Sequence, residues 1–242
     1  MTAELRKLLA LPTPRWALVA TVFGAIVALI VAALAGPGSG ADMMPVQLGV
    51  GLTTTVGAIV LGAWIIGVEY GQRTLRRALS ADPSRARLVL AKLGVALGAV
   101  TVVTLLISAA TAPLFSAIAS AHDETMSVAD QLQYGLAALV NNLIYATVAF
   151  ALALITRSMA GGMALALVFA FVIDSLMSAI PTVGDYALST GVVGLMTEIS
   201  GIDIGGMDGS GPTLLLGLAI TAAWLAAMLG ISVTRFMRTD VD

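Results

Sequence analysis

The 242-residue sequence contains no cysteine, one histidine and two lysines. Without cysteine there are no thiolate zinc sites, iron–sulfur clusters, disulfides or cysteine nucleophiles. The one histidine, His122, sits in the acidic stretch His122-Asp123-Glu124. Multi-histidine metal sites and serine–histidine dyads therefore lack parts, and a solvated loop residue is the simpler expectation. Lys7 and Lys92 follow Arg6 and Ala91, so neither completes a Gly-Lys-Ser/Thr phosphate-binding loop. Charge is scarce as well: 11% of residues are charged and 59% hydrophobic, against about 25% and about 45–50% in soluble domains. With a mean hydropathy of +1.00, a water-soluble globule is excluded.

What is abundant is apolar sequence in long stretches. A helix needs about 20 apolar residues to cross a hydrocarbon core of about 30 Å. Six segments qualify: Trp16 to Ala35, Val46 to Val68, Leu88 to Ala112, Tyr134 to Ile155, Ala160 to Ile180, and Thr213 to Thr234. The expected fold is an all-α integral membrane protein, residues 1–242 forming one domain of six transmembrane helices. The fourth and fifth segments, joined by about four residues, are expected to form an antiparallel hairpin. Ala33-Leu34-Ala35 has the form of a signal-peptidase site. The stretch before it nevertheless exceeds the usual h-region of about 7–15 residues, so a retained spanning helix is expected.

The twelve basic residues fall in four places: Arg6, Lys7 and Arg15; Arg73 to Lys92; Arg157; and Arg235 with Arg238. With both termini cytoplasmic, every one lies inside, as the positive-inside rule prefers. Asp42, Asp123, Glu124, Asp130, Asp185, Glu198, Asp203 and Asp208 then lie outside. The longest outer loop, Pro181 to Pro212, alternates apolar stretches with acids, as expected of a re-entrant segment whose backbone is shielded by protein.

Two cytoplasmic segments carry more pattern than topology requires. In residues 1–14, Leu5, Leu8 and Leu9 share a helical face opposite Glu4, Arg6 and Lys7, the signature of an interfacial helix. In the loop after the second span, Leu75, Ala78 and Leu79 share a face opposite Arg73, Arg76, Arg77 and Ser80. Asp82-Pro83 ends that helix, because the residue before proline is pushed out of the α region. A solvated basic loop needs neither an apolar face nor a defined stop.

Here the sequence resembles the type-2 permeases of ATP-binding-cassette (ABC) exporters. Glu4-Leu5-Arg6-Lys7-Leu8 resembles their cytoplasmic elbow helix. Gly67-Val68-Glu69-Tyr70 followed by Thr74-Leu75 resembles their acidic-then-Thr loop, and Pro83-Ser84-Arg85 with Ala91-Lys92 resembles the start of their third helix. The motif-level match covers about residues 1–12 and 67–93. The resemblance implies a coupling helix over 71–81, with Glu69, Arg73, Thr74, Leu75, Arg76, Arg77, Leu79, Pro83 and Arg85 contacting a separate cytoplasmic ATPase that carries ATP and magnesium. It further implies an elbow helix bearing Glu4, Arg6 and Lys7, a second permease copy as homo- or heterodimer, and a bacterial cytoplasmic membrane. Arg73 stands where family members commonly have Gly.

Within the spans, Gly94, Gly98, Thr101, Leu105, Ser108 and Ala112 share one face of the third segment with Thr104 at its edge, a pattern that first suggests close helix packing. Gly217, Thr221, Ala219, Ala223, Ala226 and Gly230 give the last segment the same expectation. Asp174 is the one acid well inside a span, near enough the outer end to be hydrated from outside, and Asn141 and Asn142 lie in the outer half of the fourth. Thr101, Thr104, Ser108, Asn141, Asn142 and Asp174 are thus the candidate lining of a translocation path for a drug, peptide or lipid. The alternative is an ion-driven secondary transporter or a substrate-capturing membrane subunit, for which an inverted repeat or broken helices would speak. No metal or catalytic residue is expected.

Overall fold

The computed structural model describes residues 19, 21–27, 29–30, 44–71, 85–121, 127–201 and 212–238. These are helical, with short turns and no strand among them. Helix α1 covers Met44–Gly71, α2 Arg85–Ala121 and α3 Val128–Thr156. The fifth apolar segment is α4, Met159–Val168, a π-helical turn, Phe169–Ile173, and α5, Asp174–Ser178. A 3-10 turn, Gly184–Tyr186, leads to α6, Leu188–Ser200, and the last helix is α7, Leu214–Arg238. Among the described residues five stretches are long and apolar enough to cross a membrane: Gly49–Gly71, Ala86–Ser120, Val128–Thr156, Met159–Ser178 and Leu214–Arg238. The described part of the first segment is helical, and its Ala25 and Leu29 pack with Val50 and Ile107.

Helix α3 is the axis of the bundle, touching α1, α2, α4, α6 and α7. Its half from Asn142 to Leu154 is almost wholly buried, and Phe150, Val148 and Leu154 form the core with Ile59 and Ile66 of α1. Lipid is as apolar as these side chains, so close approach of backbones holds the helices together more than escape from solvent does. The contacts show it. A Cβ on Gly62 would collide with the Ala146 carbonyl, one on Gly67 with the Met159 backbone at 2.5 Å, and one on Gly162 with the Ala153 backbone at 2.5 Å.

Local chemistry sets the ends of α3. Ser127 and Asp130 form a capping box, in which Asp130 N–H donates to Ser127 Oγ (3.1 Å) and Ser127 N–H to Asp130 Oδ2 (2.8 Å). At the other end Arg157 takes the left-handed conformation, φ 54°, and Ser158 then caps α4 by accepting from Gly161 N–H at 3.2 Å. The hairpin turn is therefore two residues, tighter than the expected four.

The loop from 181 to 212 is largely folded where it is described. Gly191 lies against Gly217 and Ile220, and Gly194 against Pro212, so α6 and α7 run antiparallel. Trp224 Nε1 donates to the Tyr186 carbonyl at 2.9 Å, placing the turn before α6 ten residues down α7 from its start. Arg157, Arg235 and Arg238 thus fall at one end of the bundle, and Asp130 and Glu198 at the other.

Two packing expectations change. Gly94 and Gly98 meet no neighbour among the described residues and Leu105 is exposed, so the part of that face from Gly94 to Leu105 makes no close contact there. In α7, Gly217 and Thr221 pack against α6 as expected, whereas Ala219, Ala223, Ala226 and Gly230 lie on the exposed side.

Candidate functional site

The basic end carries a buried ion pair. Lys92 Nζ lies 3.0 Å from Glu69 Oε1, with the two side chains 2% and 3% exposed. It ties the last turn of α1 to the second turn of α2, on either side of the loop expected to carry the coupling helix. Glu69, one of the residues expected to contact the ATPase, is thus engaged with Lys92 and buried within the chain. Arg73, Thr74, Leu75, Arg76, Arg77, Leu79 and Pro83 lie outside the described residues, as do the side chain of Arg85 and the elbow residues Glu4, Arg6 and Lys7.

Nearer the acidic end, α1, α2, α3 and α6 leave a cleft of about 260 Å³ between them. Thr104, Ser108 and Asn141 line it, together with Thr55, Tyr145 and Ser189. Most of the remaining wall is aliphatic or aromatic, and none of its side chains is charged. The cleft is long, because Gln131 and Tyr145, both on its wall, are separated along α3 by about 21 Å at 1.5 Å per residue.

A hydrogen-bond network stiffens its middle. Asn142, fully buried, donates through Nδ2 to Thr104 Oγ1 of α2 at 3.0 Å. Its Oδ1 stands 3.3 Å from both Thr55 Oγ1 of α1 and Asn141 Nδ2. Asn141 Nδ2 donates to Thr55 Oγ1 at 2.7 Å. Asn142 thus holds three helices from behind the wall, while Asn141 stands on it. Interhelical hydrogen bonds in membranes contribute about 0.6 kcal/mol on average and up to about 1.7. Asn142→Leu, which keeps the volume and removes the bonds, is expected to lower stability by about 1–3 kcal/mol. Unchanged unfolding in a denaturing-detergent titration would contradict this. Thr101 does not join the wall, its hydroxyl donating to the Leu97 carbonyl at 2.8 Å instead.

Asp174 closes the other end. It is 0% exposed, so the expected hydration from outside is not what the structure shows. Its Oδ2 accepts from Ser189 N–H, in the first turn of α6, at 2.8 Å, and from the Tyr145 hydroxyl at 3.4 Å. Asp174 directly succeeds the π turn and sends its N–H to the Phe169 carbonyl. An inserted residue of this kind rotates the next turns of the helix about its axis. Asn141 stands on the cleft wall, and Asp174 lies behind Tyr145 and Ser189, which line it.

Sequence reasoning overlooked Tyr145, Ser189 and Thr55. Tyr145 sits one helical turn from Asn141, a spacing that could have found it; Ser189 had no signal, lying in what read as loop. Among the described residues no three acidic or histidine side chains gather as metal ligands.

A family model described as ABC-2 family transporter protein matches residues 2–173, from the N-terminal segment to the end of the π turn. No curated protein and no solved structure matches the chain. The match takes in most of the sequence, including both segments whose motifs carry the resemblance and the three helices that form most of the cleft: the chain belongs to the ABC-2 transporter family, whose members are membrane permeases of ABC transporters.

Proposed function

We propose that this chain is the permease of an ATP-driven exporter, working as a dimer with two copies of a separate cytoplasmic ATPase. The uncharged, hydroxyl-studded cleft at the acidic end carries this reading, since it suits a hydrophobic or amphipathic compound better than an ion or a sugar. The basic end faces the cytoplasm, in keeping with the positions of Lys92, Arg157, Arg235 and Arg238. There the helix over 71–81 and the elbow over 1–14 receive the closing motion of the ATPases. Glu69 and Lys92 pass it to α1 and α2 together, because parting two opposite charges in an apolar interior is costly. The segment from 181 to 212 re-enters the membrane from outside, with α6 as its rising limb and a wall of the cleft.

The ATP and magnesium belong to the partner, so the purified permease is expected to hydrolyse no ATP alone. Leu75→Asp places a charge on the apolar face of the coupling helix, and Arg77→Glu reverses one on its basic face. Each is expected to abolish co-purification with the ATPase and ATP-dependent efflux, while leaving the permease monodisperse in detergent. Intact assembly and efflux in both would refute the coupling assignment.

A further inference from the structure

The closed end of the cleft holds polar atoms that nothing in the described chain fully satisfies. Asp174 Oδ1 and Ser189 Oγ are both buried, and although the Ser189 hydroxyl lies near the carboxylate, neither atom makes a well-formed hydrogen bond. Tyr145 and Ser189 line the cleft, whereas Asp174 stands behind them. The groups facing Asp174 are the Tyr145 hydroxyl of α3 together with the hydroxyl of Ser189 and the amides of Leu188 and Ser189 on α6, with no cation among them. A buried carboxylate with no positive partner is costly, and inside a membrane such a group is a candidate functional site that a bound cation would stabilise.

The polarity of the bonds narrows the ligand further. Tyr145 spends its one proton on Asp174 Oδ2, leaving its lone pairs to accept, and Ser189 Oγ can accept beside it. What fits is therefore a donor. The rest of the cleft, with Val50, Leu52, Ile107, Val192 and Met196 on its wall, suits an alkyl chain and gives an anionic head no charged partner.

We infer that the closed end of the cleft binds the protonated amine of a single-chain amphiphile, whose N–H groups donate to Ser189 Oγ and Tyr145 Oη in front of Asp174, with its chain running along α3 toward Gln131. This deepens the exporter reading by naming the ligand class of the same cleft, and rests on it only in taking the cleft as a substrate site.

The test uses the full-length permease without its ATPase, in phosphatidylcholine nanodiscs with empty nanodiscs as the reference. Saturable binding of dodecylamine, dodecanol and dodecanoate is measured at neutral pH. The expected result is amine bound at least tenfold tighter than alcohol, with no saturable binding of the carboxylate. Asp174→Asn keeps an oxygen for Ser189 N–H and removes the charge. It is expected to bring amine affinity down to that of the alcohol while alcohol binding stays unchanged, whereas a merely structural loss would move both. Val192→Trp, which fills the cleft, should abolish saturable binding of both. Should Asp174→Asn fail to fold, the wild-type probe series and Ser189→Ala, expected to weaken the amine selectively, decide the matter. Equal binding of amine and alcohol to wild type, no saturable binding at all, or an amine preference surviving both Asp174→Asn and Ser189→Ala would overturn the inference. Failure of the exporter reading would appear separately, in the co-purification and efflux experiments.

Discussion

Lys92→Met should destabilise the protein by about 3–5 kcal/mol, because it takes away a cation that lies 3.0 Å from the buried Glu69 carboxylate. Lys92 and Glu69 are 2% and 3% exposed and 3.0 Å apart, so neither can reach water without opening the joint between α1 and α2. The cost is that of a buried carboxylate less well compensated rather than the worth of the pair. The double variant Glu69→Leu with Lys92→Met removes both charges at similar volume and is expected to recover most of the loss, since apolar replacements of buried pairs are often neutral or stabilising. Thermal unfolding in detergent, followed by size-exclusion chromatography of the heated samples, would read both. A single variant as stable as wild type, or a double variant worse than the single, would refute the tether. If the pair also transmits motion, the double variant should be well folded and poor at efflux.

The second large effect is expected at a glycine. A Cβ on Gly62 runs into the carbonyl and Cα of Ala146, where α3 is flanked by the fully buried Ala149 and Phe150 and has nowhere to move. Gly62→Ala should therefore cost about 1–3 kcal/mol or more, as overpacking of a filled interior does. Helix propensity alone would favour alanine by up to about 1 kcal/mol. Gly98 supplies the control. It lies in the same kind of apolar helix but meets no neighbour among the described residues, so Gly98→Ala should be neutral or mildly stabilising in the isolated chain. Equal responses at the two positions would mean that α1 and α3 do not meet as described.

How much of this is legible in the sequence depends on the range of the interaction concerned. The spanning helices announce themselves by long apolar runs, and α1, α7 and the stretch from α4 through α5 begin and end within about four residues of where those runs place them. Helix α3 starts at Val128 and not at the expected Tyr134, because a capping box, not hydrophobicity, begins it. Helix α2 continues past the expected end at Ala112, through Pro113 to Ala121, because an apolar helix tolerates one proline when its neighbours satisfy the freed groups. Glu69 and Lys92 each stand out in the sequence, but a pair 23 residues apart across a loop leaves no periodicity to read. Asp174 is singled out by its oddity alone. Its partners are not, since Ser189 sits in a segment whose helix, Leu188–Ser200, is defined by packing on α3 and α7.

The length of α2 has a mechanical meaning. Its 37 residues make a rod of about 55 Å at about 1.5 Å per residue, against a hydrocarbon core of about 30 Å. The rod is pinned near one end, where Lys92 meets Glu69, and its far half carries Thr104, Ile107 and Ser108 of the cleft wall. It is a lever with its fulcrum at the basic end: a tilt of about 5° there sweeps the far tip through roughly 4 Å on the same rise per residue. Pro113, just beyond the hydroxyl-bearing wall, cannot donate its backbone hydrogen bond, so the tip can flex while the stretch between fulcrum and cleft stays stiff. A displacement too small to break any contact at one face of the membrane becomes the width of an alkyl chain at the other.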